Sequence, residues 1–320
     1  MLTAVGVLAE RWVRARHPWT NIVGLARSGL AMATAMTLLL NRPGTLFRPL
    51  AGVPQAEFCE GLRAGSPFCV GGGHLALVRW LAVVGLLIVA SGWRPRWTGI
   101  LHWWITFGFQ ATAATLDGGD QIAGLLTLFL IPVTLTDDRR WHWAIRPIAP
   151  ISLPESLKRV TAQSAMWMIR IQVAFIYFHA AVGKAYAGAW QQGTAMYYWL
   201  TNVDFGAPGW LAPLLRPILV NGTSVACLSY GIIVLEITLC AGLLLPRAFR
   251  RPLLVAGIAM HVGIIVVHGL VTFGLTMIMA LILFLGETGR GLSFFGKTEA
   301  RSTIQAAPSK RTGCLAEAIA

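Results

Sequence analysis

Long apolar runs recur along this chain, separated by short connections rich in basic residues, glycine or proline. Eight of them stand out, at roughly 20–40, 74–92, 98–116, 120–136, 165–187, 222–245, 252–269 and 270–287. Each approaches the ~20 residues with which an α-helix crosses a hydrocarbon core of about 30 Å. The pattern predicts an all-α polytopic membrane bundle of about eight transmembrane helices. The last two runs meet around the tight junction HGLVTFG, where the boundary is least marked. Residues 1–19 read as a cytoplasmic N-terminal segment, 20–288 as the transmembrane domain and 289–320 as a small-residue, polar, disordered cytoplasmic tail. The opening MLTAVGVLAE is too short and too early for a secretory signal, so the first long run is expected to stay as an anchor.

Composition agrees with that reading. The chain is 56% hydrophobic and 12% charged, with a mean hydropathy of +0.64, whereas soluble domains carry about a quarter charged residues. The net charge of +13 could signal nucleic acid, but no basic patch interleaved with aromatics lies on a soluble face, so no nucleic-acid partner is expected. The cations sit between the apolar runs instead. With the N-terminus inside, the inner connections hold Arg11, Arg14, Arg16, Arg94, Arg96, Arg139, Arg140, Arg146, Lys158, Arg159, Arg247, Arg250, Arg251, Arg290, Lys297, Arg301, Lys310 and Arg311. The outer ones hold Arg42, Arg48, Arg63 and Arg216. This asymmetry predicts a multi-pass protein of the cell membrane, in contact with the lipid bilayer, with both termini cytoplasmic.

Two outer loops are then long, 41–73 and 188–221. The second carries Trp190, Tyr197, Tyr198, Trp199 and Trp210, which suggests a short helix lying along the interface. The first holds Cys59 and Cys69, which face an oxidising compartment and are expected to form a disulfide, with two free thiols as the alternative. Cys227 and Cys240 read as core packing, and Cys314 as a reduced tail thiol. The tripeptide NGT at 221–223 fits the glycosylation pattern but abuts a span. No zinc spacing, phosphate-binding glycine loop or dinucleotide fingerprint appears, and neither a metal nor a cofactor is identifiable from motifs.

Ionisable side chains at membrane depth cost a few kcal/mol on insertion scales and mark sites by default. Here they are Arg27, Arg79, His102, Asp117, Asp120, Arg170, His179, Lys184, Glu236, His261 and His268. Arg170 reads as a snorkelling residue. Asp117 and Asp120, in the outer turn LDGGDQ, read as solvated loop carboxylates or as an acidic rim to an outward-facing site. Glu236 lies mid-span and needs a partner, with Arg27 or Arg79 the candidates weighed. His261 and His268 share a helical face but stand about 10 Å apart along the axis, so one metal ion cannot take both. They read as hydrogen-bonded histidines of a polar bundle interior.

The stretch Ile171–Leu200, IQVAFIYFHAAVGKAYAGAWQQGTAMYYWL, is the most suggestive. Lys184 ends a span; Tyr177, seven residues earlier, shares its face, while His179 lies about 140° round the helix. A lysine there either snorkels to the headgroups or occupies an apolar, outward-opening pocket where desolvation favours a neutral amine able to act as a base. The pattern QV…YF.AAVGK…W..GTAMYY resembles the core of the HTTM domain, the transmembrane module shared with vitamin K-dependent gamma-carboxylase. Within that superfamily, the basic segment before an Arg-containing first span and the cysteine pair in the first outer loop resemble the sporulation-delaying protein B (SdpB) family. The carboxylase resemblance implies that Lys184 is a catalytic base, with Trp190 and Gly193 in register, and that a quinone is a conceivable cofactor. The SdpB-like resemblance implies a role in maturing or exporting a secreted peptide toxin, beside a small companion protein and the peptide precursor. The expected site is an outward cavity lined by Lys184, Tyr177, His179 and Glu236. Two alternatives remain at this point: a quinone-linked membrane oxidoreductase or carboxylase-like enzyme, and a non-catalytic scaffold or immunity protein.

Overall fold

A computed structural model of the chain describes residues 17–47, 59–144 and 152–286. Eight long helices carry the architecture: α1 Asn21–Leu40, α2 Leu75–Ser91, α3 Pro95–Thr112, α4 Gly118–Leu135, α5 Leu153–Ala185, α6 Gly222–Cys240, α7 Arg247–His268 and α8 Val271–Leu285. They coincide with the eight apolar runs. Five of them, α1, α4, α5, α6 and α7, are long and apolar enough to cross a membrane, and α2 and α8 are shorter apolar helices. The predicted termini, most of the N-terminal segment and Cys314 lie outside the described residues.

The chief difference lies in α5, which starts at Leu153 rather than near 165 and runs for 33 residues. Ser152 accepts a hydrogen bond from the Glu155 amide as N-cap, and Pro154 occupies the first turn where its missing N–H costs nothing. The added turns read LPESLKRVTAQS, too polar for a hydropathy window to notice. Their charge is handled internally, since Arg159 Nε donates to Glu155 Oε1 at 2.9 Å in a buried pair. The junction between α7 and α8 falls where expected: Gly269 takes a left-handed conformation, φ 68°, and closes α7.

The bundle is layered around α1. Within the most apolar window of each helix, 72% of α1 is buried but only 17% of α7 and 28% of α6 with its following turn. Helix α1 packs against α2, α4 and α8, and α5 against α4, α6 and α8. One core joins Leu30, Leu126, Ile169, Met277 and Leu281 from α1, α4, α5 and α8. A second fills the space between α1, α2 and α3 with Leu38, Leu86, Phe109 and the loop residue Phe68. Helices α6 and α7 stand at the periphery and turn Val234, Ile237, Val255, Val262 and Val266 outward. Cys227 also faces outward, contrary to the core position expected for it, while Cys240 is half-buried.

The second outer loop folds into three short helices, Gly188–Gln191, Ala195–Leu200 and Ala212–Leu219. Trp190, Ala195, Met196 and Leu200 form a small core of their own against Ile232, Ile233 and Val267, so this loop is a cap seated on α6 and α7. Asn221, the candidate glycosylation residue, spends its side-chain oxygen on the Ser224 amide at 3.1 Å as the N-cap of α6.

Cys59 and Cys69 are disulfide-bonded, with Cα atoms 5.6 Å apart. The loop they close packs on α2 and α3. A membrane-impermeant maleimide should therefore leave both cysteines unlabelled until a reductant is added, as read by peptide mapping. Labelling of Cys59 on untreated cells would contradict the bond.

Candidate functional site

Lys184 occupies the last turn of α5, where the unpaired carbonyls of the helix end favour a cation. Its ammonium is held by Glu236 of α6, Nζ to Oε1 at 2.7 Å. The lysine side chain is 24% exposed and the glutamate 7%, so the pair reaches the surface through the lysine alone. The partner is thus neither Arg27 nor Arg79. The reason is topological: α5 and α6 are packed neighbours, whereas Arg27 and Arg79 belong to α1 and α2.

The chain beyond Lys184 folds back over it. Trp190 brings its indole ring to 5.4 Å from Nζ, within cation–π range. Three residues later Gly193 adopts φ 69°, and a Cβ there would lie 3.0 Å from the Ala226 methyl and 3.1 Å from the Tyr230 ring. Glycine meets both demands, left-handed backbone and close approach to α6. Ser229 fastens the junction: its hydroxyl proton is shared between the Gly193 carbonyl at 3.1 Å and the Val225 carbonyl of its own helix at 2.9 Å, and its oxygen accepts from the Met196 amide at 3.1 Å. Ser229 and Glu236 are two turns apart on the buried face of α6, so the clamp that seats the cap also sets the register of the glutamate. The spacing Lys-Trp-Gly in the sequence is the trace of this arrangement.

Deeper in the same wall, Tyr177 is buried two turns below Lys184 and its hydroxyl is hydrogen-bonded to His261 Nε2 of α7 at 2.9 Å. Phe273 closes the other side of the imidazole with an edge contact at 5.9 Å. His261 Nδ1 and Glu236 Oε2 are buried without a hydrogen-bond partner among the described residues. Three helices therefore contribute four polar groups to one strip of the bundle.

The remaining candidates do not join it. His179 is exposed and meets Phe175 at 6.5 Å, as its rotation of about 140° from Lys184 requires; it is removed from the expected lining. His268 donates to or accepts no side chain at the site; its Nδ1 lies 2.6 Å from the Phe205 carbonyl. Asp117 and Asp120 are neither solvated loop groups nor a rim. They form a capping box at the start of α4, Asp117 accepting from the Asp120 amide at 2.8 Å and Asp120 from the Asp117 amide at 3.3 Å. Arg79 donates to the Asn41 carbonyl at 2.7 Å and so closes the end of α1. Arg170 is buried, with its guanidinium 5.4 Å from the Trp167 ring, instead of snorkelling out. His102 is buried in α3 with Nε2 lacking a partner among the described residues, and no chemistry follows from it.

Arg27 belongs to a second polar cluster at the opposite end of the bundle. Its guanidinium donates to Thr98 Oγ1 at 2.6 Å and faces His142 Nδ1 at 3.4 Å. His142 Nε2 lies 3.3 Å from Ser28 Oγ, which itself donates to the Ala90 carbonyl at 2.6 Å. Arginine can only donate, so His142 is neutral with its proton on Nε2. The ring fits because Gly24 has no side chain; a Cβ there would meet it at 2.7 Å. Burial, then Arg27 and Arg139, push the His142 imidazole down to about 3. The pairing of Arg139 with Asp137, at 2.7 Å, anchors the same loop. A cavity of about 10 Å³ among Trp19, Arg27, Asp137 and His142 has room for roughly one water. Sequence reading missed His142 because it lies outside every span.

Comparison with known proteins adds identity to this geometry. The family model described as HTTM domain matches residues 145–288. The chain is 38% identical over 297 residues, 92% of its length and 94% of the relative, to the uncharacterized protein YitO of Bacillus subtilis. It is 36% identical over 279 residues, 86% of its length and 84% of the relative, to the sporulation-delaying protein SdpB of the same organism. No solved structure matches it.

Two outcomes follow from the clusters. Lys184→Met should lower unfolding stability in micelles by on the order of 3 kcal/mol, because it strands a buried carboxylate. Glu236→Leu should cost less, since the lysine can reach water, and the double variant should be milder than Lys184→Met alone; equal single effects would refute this asymmetry. For His142, the folded value of about 3 against 6.5 unfolded means that neutral imidazole stabilises fully above pH 6.5 and that this is lost as pH falls toward 3. Asp137 faces the same loop, so the comparison is with His142→Gln, whose melting temperature should decline less over that interval.

Proposed function

Because this chain belongs to the SdpB-like family of HTTM-domain membrane proteins, we propose that it serves the maturation or export of a secreted peptide toxin from the cell membrane. The relative named sporulation-delaying protein SdpB supports the pathway class. The observation that carries the site is the ion pair of Lys184 and Glu236, buried on the glutamate side and open on the lysine side. Its partners in this reading are the peptide precursor and a small companion membrane protein.

The chemistry of the pair defines what it offers a peptide. A lysine ammonium has three N–H donors. One goes to Glu236 Oε1, and the Trp190 ring covers another flank. The remaining direction presents a donor and a positive charge at the partly exposed edge of the apolar bundle, toward a backbone carbonyl or carboxylate of an extended peptide. Glu236 fixes the ammonium, and the Ser229–Gly193 clamp fixes the cap above it. A quinone, implied by the carboxylase resemblance alone, needs an amine lone pair to act on it. The Lys184 nitrogen is engaged by Glu236 at 2.7 Å, and no step is derived through a quinone. The disulfide-closed loop packs on α2 and α3, whereas Lys184 and Glu236 sit between α5 and α6. That separation favours a staple over a redox partner for Lys184.

The test is a gene-deleted producer strain carrying variants, with toxin activity in the medium read against chain abundance in the membrane. Lys184→Ala should reduce activity per membrane-inserted chain at least about tenfold, the loss expected for one charge-assisted contact of ~1.5 kcal/mol, over and above the fall in abundance that stranding Glu236 causes. Lys184→Arg should retain it because the charge and donors persist. Full activity of Lys184→Ala would end the proposal, and loss with both would replace anchoring by proton transfer.

A further inference from the structure

The α2–α3 turn and the loop after α4 are laced together at the basic end of the bundle. The Arg94 amide donates to the Arg140 carbonyl at 2.8 Å, the His142 amide to the Gly92 carbonyl at 3.0 Å, and Trp93 and Trp141 form an isolated antiparallel bridge. Trp143 Nε1 donates to the Ser91 carbonyl at 2.8 Å. Behind them lies the buried Arg27–His142 cluster, so the whole surface is braced from within.

What this braced surface presents is unusual for a soluble face. Trp93, Trp97, Trp141 and Trp143 are 42%, 68%, 41% and 36% exposed. The indole N–H groups of Trp93, Trp97 and Trp141 have no partner among the described residues, so the rings join large apolar faces to unused donors. That combination suits the boundary between hydrocarbon and headgroup.

The charges are unbalanced in one direction. Asp138 is taken by both Arg96 and Lys158, and Asp137 by Arg139. Arg94 and Arg140 are exposed, joined through their backbones, and without a side-chain partner among the described residues. Arg94 also holds φ 39°, the one left-handed non-glycine residue among those described. Glycine would adopt that conformation freely, so arginine is kept there against its backbone preference. Strain that persists in a braced turn points to a role for the side chain.

We propose that Arg94 and Arg140, ringed by Trp93, Trp97 and Trp141, form a binding site for the phosphate headgroup of a single anionic phospholipid. Guanidinium groups match phosphate oxygens in a bidentate fork. The indoles would contact the glycerol region and donate to the ester and phosphodiester oxygens. The bound lipid would complete the charge balance that Asp137 and Asp138 leave unfinished.

The experiment uses the full-length chain in mixed micelles of phosphatidylglycerol and phosphatidylcholine, with retained lipid counted by native mass spectrometry. One phosphatidylglycerol per chain should survive detergent exchange, with a preference over phosphatidylcholine of about fivefold for each arginine engaged. Arg94→Gly with Arg140→Gln should abolish the preference. Arg94→Gly alone should weaken retention without lowering the melting temperature, since glycine relieves the turn; this separates lipid loss from misfolding. Equal retention of both lipids, or a preference unchanged in the double variant, would overturn the site. Displacement of the lipid by millimolar inorganic phosphate would also overturn it, by reassigning the pocket to a soluble anion.

Discussion

Hydrocarbon offers a polar atom no water, and the placement of ionisable groups in this bundle follows from that constraint. Lys184 and Glu236 neutralise each other, Arg79 closes the carbonyls at the end of α1, and Arg27 is held by Thr98 and His142. Each pairing joins different elements of the chain, so each is also a constraint on how they pack. The polar groups are therefore what fixes register in a core whose apolar contacts between Leu, Met and Ile would tolerate sliding. They also divide by end: one end is closed by a neutral histidine wedged against Gly24, and the other carries a charge pair that remains open on one side.

That division matters for function because the two ends are built to different standards of enclosure. At the Arg27 end the guanidinium and the imidazole are both buried and the adjoining cavity holds about one water. Nothing the size of a peptide enters there. At the Lys184 end the polar strip is covered by a cap of three short helices seated on the two most peripheral spans. Elements with few buried contacts are those that move at least cost. Under the proposed function, a peptide approaching Lys184 would meet the part of the molecule with the least packing to disturb.

Much of this was legible in the sequence, and the misses share a cause. All eight helices were visible as recurring apolar runs, although only five of them are long and apolar enough to cross a membrane. The first third of α5 was not, since Ser152, Pro154 and Glu155 make a helix start that hydropathy ignores. The disulfide was legible from the expected compartment, and the presence of short helix in the second outer loop from its aromatic content. The partner of Glu236 was not, because spacing along a chain carries no information on which helices adjoin; once α5 and α6 are neighbours, Lys184 is the cation within reach. Asp117 and Asp120 could have been read correctly, since acidic residues three apart before an apolar run are a capping signal. His179 was set apart from Lys184 by its own helical angle, and its exposure follows from the same arithmetic.

The motif running from Tyr177 through Lys184 and Trp190 to Gly193 can now be stated as geometry. Tyr177 and Lys184 share a face because they are seven residues apart, which places one against α7 and the other against α6. Trp190 can shield the ammonium because α5 ends at Ala185, one residue after Lys184, and Gly193 lets the returning chain touch α6 beside Ser229. A lysine that merely reached for headgroups would need neither the buried carboxylate nor the tryptophan lid, and the insertion cost of a mid-span glutamate would then be unexplained. The presence of both around one nitrogen is the argument that Lys184 is held for a purpose rather than parked at a membrane edge.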